Sequence, residues 1–149
     1  MENWTSRTNY PALNLIQTGP AEMSFFVNRN YGQPTAYVAR YSLRLDGFAS
    51  LHAGYHGGSM TTRPLRFQGS RLELNYSTSA AGSLRIEILD ESGKPIPGFT
   101  LNEARELIGD QIARTYEWSN NPDLASLSGR TLRLRFHLKD ADLYSWRFQ

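Results

Sequence analysis

The chain has 149 residues, 40% hydrophobic and 20% charged, with a formal net charge of +2. That length fits one domain, and the mixture excludes a disordered chain. It contains no apolar run of the roughly 18 residues a spanning helix needs and no cysteine, so disulfides, thiolate metal sites and a cysteine nucleophile are all ruled out.

Taken in order, the first seven residues, Met1 to Arg7, lack a basic segment followed by an apolar stretch, so no signal peptide is read there. The abrupt polar and aromatic start favours a piece of a larger protein. Residues 1–20 are rich in Asn, Thr, Pro and Gly and carry no period. Residues 1–30 are therefore read as a strap or the remnant of a preceding domain, and residues 31–149 as the main domain.

From Met23 onward, period-two alternation dominates, as half-buried strands require. It runs through Met23 to Val27, Ala36 to Val38, Tyr41 to Leu45, Arg71 to Tyr76, Leu84 to Ile88, Leu132 to Leu138 and Tyr144 to Phe148. Turn signals separate these runs: Asp46-Gly47, Gly57-Gly58, Gly69-Ser70, Ala80-Ala81-Gly82 and Asp90 to Gly93. Asn102 to Leu107 suits one or two helical turns with Asn102 as N-cap and Gly109 as the stop. Pro122-Asp123 predicts a turn or 3₁₀ segment ending near Gly129. About ten short strands with one apolar face predict an all-β chain, an antiparallel two-sheet β-sandwich of jelly-roll type with at most one short helix.

The basic residues are fourteen Arg and two Lys, Lys94 and Lys139. Many alternate with apolar residues, so they are read as solvated strand faces paired with Asp and Glu, among which Glu73 and Glu87 should point to solvent. The nearest approach to a basic patch, Arg130 to Arg135, is followed by Asp140 and Asp142, so a nucleic-acid surface is not expected. A hydrolase needs paired acid and base groups. The candidate acids are Asp46, Asp90, Asp110, Asp140, Asp142, Glu73, Glu87, Glu103, Glu106 and Glu117; Asp90 belongs to a turn, Asp140 and Asp142 between two strands are the pair a stand-alone hydrolase would use, and no Gly-x-Ser-x-Gly elbow is present. His52 and His56 have zinc spacing only on a helix, which Gly54, Gly57 and Gly58 oppose. Calcium is the one ion considered as a cofactor, through Asp46, Asp110, Asp140 and Asp142, although their spacing defines no loop.

Aromatic residues make up 12% of the chain. Sugars stack their C–H faces on aromatic rings and bond their hydroxyls to planar polar groups. Tyr31, Tyr55 and Trp118 are the candidate stacking residues, and His56, Asn120 and Asn121 the candidate hydrogen-bonding partners. Trp146 alternates with Tyr144 and Phe148 and is read as core.

Four further stretches carry a family resemblance. They are Gly109 through Trp118, Asp123 through Phe136, Asp140 through Ser145, and Ile88 through Phe99, with Tyr41 through Phe48 fitting the same pattern. Together they resemble the C-terminal β-sandwich of bacterial proteins similar to family 32 glycoside hydrolases, in which a five-bladed propeller precedes the sandwich. The resemblance spans roughly residues 35–149, and residues 3–28 look like the last propeller strands and the connection. It implies that the catalytic acids lie in a propeller this sequence lacks. It also implies an extracellular or periplasmic setting as part of a larger protein. The expected function is a non-catalytic carbohydrate-binding accessory module. The alternatives are a purely structural sandwich packed on a propeller, which would leave an apolar face prone to self-association, and a small stand-alone glycoside hydrolase.

Overall fold

Nine strands form among the described residues: β1 (Tyr10–Pro11), β2 (Ile16–Gln17), β3 (Glu22–Arg29), β4 (Tyr37–Arg44), β5 (Leu51–Ala53), β6 (Gly58–Thr61), β7 (Leu72–Asp90), β8 (Asp110–Thr115) and β9 (Leu132–Phe148). The computed structural model describes residues 9–119, 121 and 123–149. The readings made on the first seven residues, on Asn120 and on Pro122 fall outside the described residues. All the pairings are antiparallel, in two sheets, and the one helical element among the described residues is a 3₁₀ turn at Ala125–Leu127. The molecule is thus all-β and two-sheeted, the class its alternation predicts.

Two compact units meet between Phe48 and Ala49. A boundary near residue 30 would fall in the turn joining β3 to β4, two strands paired along their whole length from Glu22↔Arg44 to Arg29↔Tyr37. That pairing carries the first unit on to Phe48. In it, β1 and β2 lie along the other edge of β3, separated by Asn14 in the left-handed region. The strap read from the first twenty residues is in this part an edge ribbon. Met23, Ser24 and Val27 are buried.

The second unit is organised by β7 and β9, which pair from Leu72↔Phe148 to Asp90↔Leu132. Each was read from sequence as two strands. The chain runs on because residues 79–82 bulge out between Thr78↔Ala141 and Ser83↔Lys139. Gly82 permits this corner: a Cβ there would stand 2.2 Å from the Asp140 carbonyl oxygen and 2.7 Å from that of Lys139. Opposite it, Asp140 takes φ 41°. β8 pairs with the Leu72 half of β7, β5 with the Leu143 end of β9 and β6 with its Phe136 region.

Both halves of the bent sheet share one core. Leu72, Leu74, Tyr76, Leu84, Ile86, Ile88, Leu132, Leu134 and Phe136 are all at most 1% exposed. Removing each such side chain from water contributes roughly 1.5–3 kcal/mol. Along the edge of β7 opposite β9, Leu84 exchanges backbone bonds with Leu107, and Ile88 bonds to Ile96 and Phe99. Between them no backbone faces Ile86; two aromatic side chains do. The Ile86 N–H donates to the Tyr116 hydroxyl at 2.9 Å, and Trp118 Nε1 donates to the Ile86 carbonyl at 2.7 Å. The Tyr116 hydroxyl in turn donates to the Arg105 carbonyl at 2.6 Å.

The helix predicted over Asn102 to Leu107 does not form. Ala104 and Leu107 are buried, and they bridge instead to Trp118 and Leu84. The 3₁₀ turn predicted to end near Gly129 does form; the Asp123 carboxylate accepts from the Ala125 N–H at 2.8 Å at its start. Glu87 departs from its expected solvent position. It is 5% exposed and accepts from Arg135 Nη1 at 3.0 Å, with His137 Nε2 at 3.2 Å from the same oxygen.

Candidate functional site

The corner of β9 at Lys139 and Asp140 gathers the most distinctive polar side chains of the second unit. β5 and β6 are joined across it by the turn Gly54 to Gly57, closed by a Gly57 N–H to Gly54 carbonyl bond of 2.9 Å. The same carbonyl accepts from the Asp140 N–H at 3.0 Å, which ties the turn to the corner. Gly57 sits at φ 73°, and a Cβ there would press on the Leu138 carbonyl at 3.1 Å. Glycine is therefore needed for the turn to lie this close to β9.

The two central residues of that turn are Tyr55 and His56. Tyr55 is 65% exposed. The Lys139 ammonium stands 4.7 Å from its ring centroid, and the His56 ring meets it edge-on at 6.4 Å. An exposed ring held by a clamped backbone loses little freedom when it takes a ligand. On the neighbouring strands, His52 lies directly opposite Asp142. His52 Nδ1 is 3.0 Å from Asp142 Oδ1, which also accepts from the Ser50 hydroxyl at 2.6 Å. A groove of about 440 Å³ runs beside this cluster, lined by Ser50, Met60, Tyr144 and Trp146 among others.

Alternation sorts the side chains of β9. Leu132, Leu134, Phe136, Leu138, Ala141 and Leu143 are buried. Arg133, Arg135, His137 and Lys139, and beyond the corner Asp142, project from the opposite face. Ser59 and Thr61 of β6 lie opposite His137 and Arg135, and the Thr61 hydroxyl accepts from Arg135 Nε at 3.1 Å.

No protein-family model matches this chain, and no curated protein or solved structure matches it significantly.

The residues expected to bind sugar fall in different elements. Tyr55 and His56 share one turn. Tyr31 belongs to the first unit, where it is 59% exposed and meets Tyr10 edge-on at 5.4 Å. Trp118 is corrected from a stacking surface to a core residue. It is 1% exposed, its Nε1 is committed to Ile86, and its ring packs edge-on against Tyr116 at 4.6 Å and Phe99 at 5.5 Å. Asn121 is exposed but builds its own loop: it exchanges backbone bonds with Trp118, and its Oδ1 accepts from the Asp123 N–H at 2.9 Å. Asn120 lies outside the described residues.

Sequence reasoning overlooked Lys139 as a site residue. The alternation over Leu132 to Leu138 exposed that face of β9, but nothing local brought Tyr55 onto it. Among the described residues, no three His, Cys, Asp or Glu side chains form a group that could hold a metal ion. Asp142, weighed both for calcium and as half of a catalytic pair, has its Oδ1 occupied by Ser50 and His52. Asp46 lies in the first unit.

Proposed function

We propose that the second unit is a non-catalytic carbohydrate-binding module, with Tyr55 as its stacking platform. The observation that carries this reading is a tyrosine 65% exposed on a turn clamped at both ends, beside Lys139 and His56. The ring takes the C–H face of a pyranose, and the flanking donors take its hydroxyls. Nothing in this arrangement requires a chemical step. Association with a glycoside hydrolase rests on the resemblance of residues 35–149 alone.

Affinity electrophoresis of the whole chain through gels containing plant and microbial polysaccharides tests the reading. At least one polymer should retard it, and Tyr55→Ala should weaken retardation about tenfold, the size of one lost aromatic contact. Wild-type mobility unchanged in every gel would remove the proposal.

One observation favours a second reading, a structural support for a larger neighbour. Leu13, Val38 and Phe48 of the first unit are 91%, 65% and 62% exposed. Apolar surface of this kind marks a protein contact when it is contiguous. Sedimentation showing a monomer at every concentration would count against it.

A further inference from the structure

Resting on the carbohydrate reading above, we infer that the polymer taken at this face is anionic, a polysaccharide carrying carboxylate or sulfate groups. The argument is one of uncompensated charge. Arg133, Arg135, His137 and Lys139 occupy alternate positions of β9, so neighbours stand about 6.6–6.8 Å apart along the strand. Across the register lie Leu89, Glu87, Arg85 and Ser83 of β7, and on the other side Ser59 and Thr61 of β6. Asp140 follows Lys139 at the corner with φ 41°, and Asp142 beyond it faces His52 and Ser50. On β7 and β9 this face carries the cations Arg133, Arg135, Lys139 and Arg85, and Glu87 is the carboxylate in register with them.

That carboxylate is already spent. Glu87 is buried between Arg135 and His137 and offers no charge to the rest of the row. Among the described residues Arg133 makes no ion pair; its Nε and Nη1 donate to the neutral carbonyls of Glu91 at 3.2 Å and Thr62 at 3.3 Å. Arg85 is held by the carbonyls of Leu101 and Ala104. The Lys139 ammonium lies over the ring of Tyr55, and among the described residues it makes no ion pair. Carbonyls fix a guanidinium without cancelling its charge, so these cations are oriented before any ligand arrives. A net positive strand face with its donors prearranged is complementary to a chain of regularly spaced anions.

Single-stranded nucleic acid also presents regular anions, but it binds such rows through several aromatic platforms that stack its bases. Among the described residues, Tyr55 is the aromatic ring that meets a cation of this row, at its Lys139 end. A single ring beside cations and the hydroxyls of Ser59 and Thr61 fits a pyranose bearing an acid group.

The test compares the whole chain on alginate, polygalacturonate and dextran sulfate with its behaviour on neutral dextran and hydroxyethylcellulose, and on poly(dT) and duplex DNA. The expected result is retention on at least one acidic polysaccharide, weakening steeply between about 50 and 300 mM NaCl, with little on the neutral gels. Lys139→Gln and Arg133→Gln should each lower affinity about three- to tenfold, and both leave the Glu87 cluster intact. Circular dichroism of both variants confirms their fold. Retention on neutral polymers only, insensitive to salt, would overturn the inference and leave the carbohydrate reading standing. Retention on no polysaccharide would remove both. Binding of poly(dT) or duplex DNA at least as tight as the best acidic polysaccharide would overturn the inference in favour of a nucleic-acid surface.

Discussion

Tyr116 shows how much one hydroxyl can hold. It accepts from Ile86, donates to Arg105 and is 0% exposed. Tyr116→Phe takes the hydroxyl from the buried Ile86 N–H and from the part-buried Arg105 carbonyl, and the expected loss is about 1–3 kcal/mol by urea denaturation. A loss below about 0.5 kcal/mol would mean that the edge of β7 is satisfied in some other way. The same residue sets an alkaline limit. Burial pushes the Tyr116 phenol well above the usual tyrosine range, and burial raises Tyr76 as well. Above about pH 10 the unfolded chain releases these protons while the fold retains them, so the unfolded state binds fewer protons and stability falls as pH rises. The Tyr116 phenol contributes a slope approaching 1.4 kcal/mol per pH unit, and Tyr76 acts in the same direction. Denaturation at pH 8.5, 10 and 11 should show the decline, and Tyr116→Phe should flatten it; a stability unchanged across that range would contradict the assignment. Little of this was legible beforehand. Trp118 has the composition of a sugar platform, and only the missing backbone partner of Ile86 explains why its indole turns inward. Tyr55 and His56 were legible as a pair in a glycine-rich loop, whereas their meeting with Lys139 depends on the Asp140 bond to Gly54, which no local pattern encodes.

At the scale of elements, the fold turns on the corner where β7 and β9 bend together. Alternation revealed the halves of these strands because each buries one face: Leu84, Ile86 and Ile88 on β7, and Leu132, Leu134 and Phe136 on β9. It did not reveal their continuity, since Ala80-Ala81-Gly82 has the composition of a link and the bulge uses the same residues. The misread helix has a similar cause. Ala104 and Leu107 are three apart, a helical spacing, yet an extended chain uses that spacing to reach Trp118 and Leu84 with two separate bridges. The corner yields a direct prediction. Gly82→Ala sets a methyl 2.2 Å from the Asp140 carbonyl oxygen, against backbone that two strands hold in place. The expected cost is about 1–3 kcal/mol, or roughly 10 °C in melting temperature. Gly54→Ala is the control. It meets nothing within 4 Å and lacks a positive φ, so it should melt close to the unsubstituted chain. Equal melting of the two variants would show that the corner has room to open.

Across the whole molecule, burial is divided unequally between the units. The largest fully buried side chains, from Trp118 and Tyr76 to Leu124 and Leu127, all lie in residues 49–149. Among the described residues, the first unit buries Met23, Ser24 and Val27 and leaves Leu13, Leu15, Ile16, Val38 and Phe48 exposed. A small sheet with so little apolar burial is marginal by itself, because chain entropy of roughly 1–2 kcal/mol per residue opposes every ordered position. The second unit has a continuous core, a strand edge closed by Tyr116 and Trp118, and the Tyr55 turn on its own strands. Residues 49–149 expressed alone should therefore fold, melt cooperatively within a few degrees of the full chain, and keep whatever polysaccharide retention the full chain has. Residues 1–48 alone should show no cooperative transition. If the exposed apolar side chains of the first unit drive self-association, removing them should also abolish any concentration-dependent sedimentation. An excised second unit that failed to fold, or that folded and lost its retention, would show that the site depends on the first forty-eight residues.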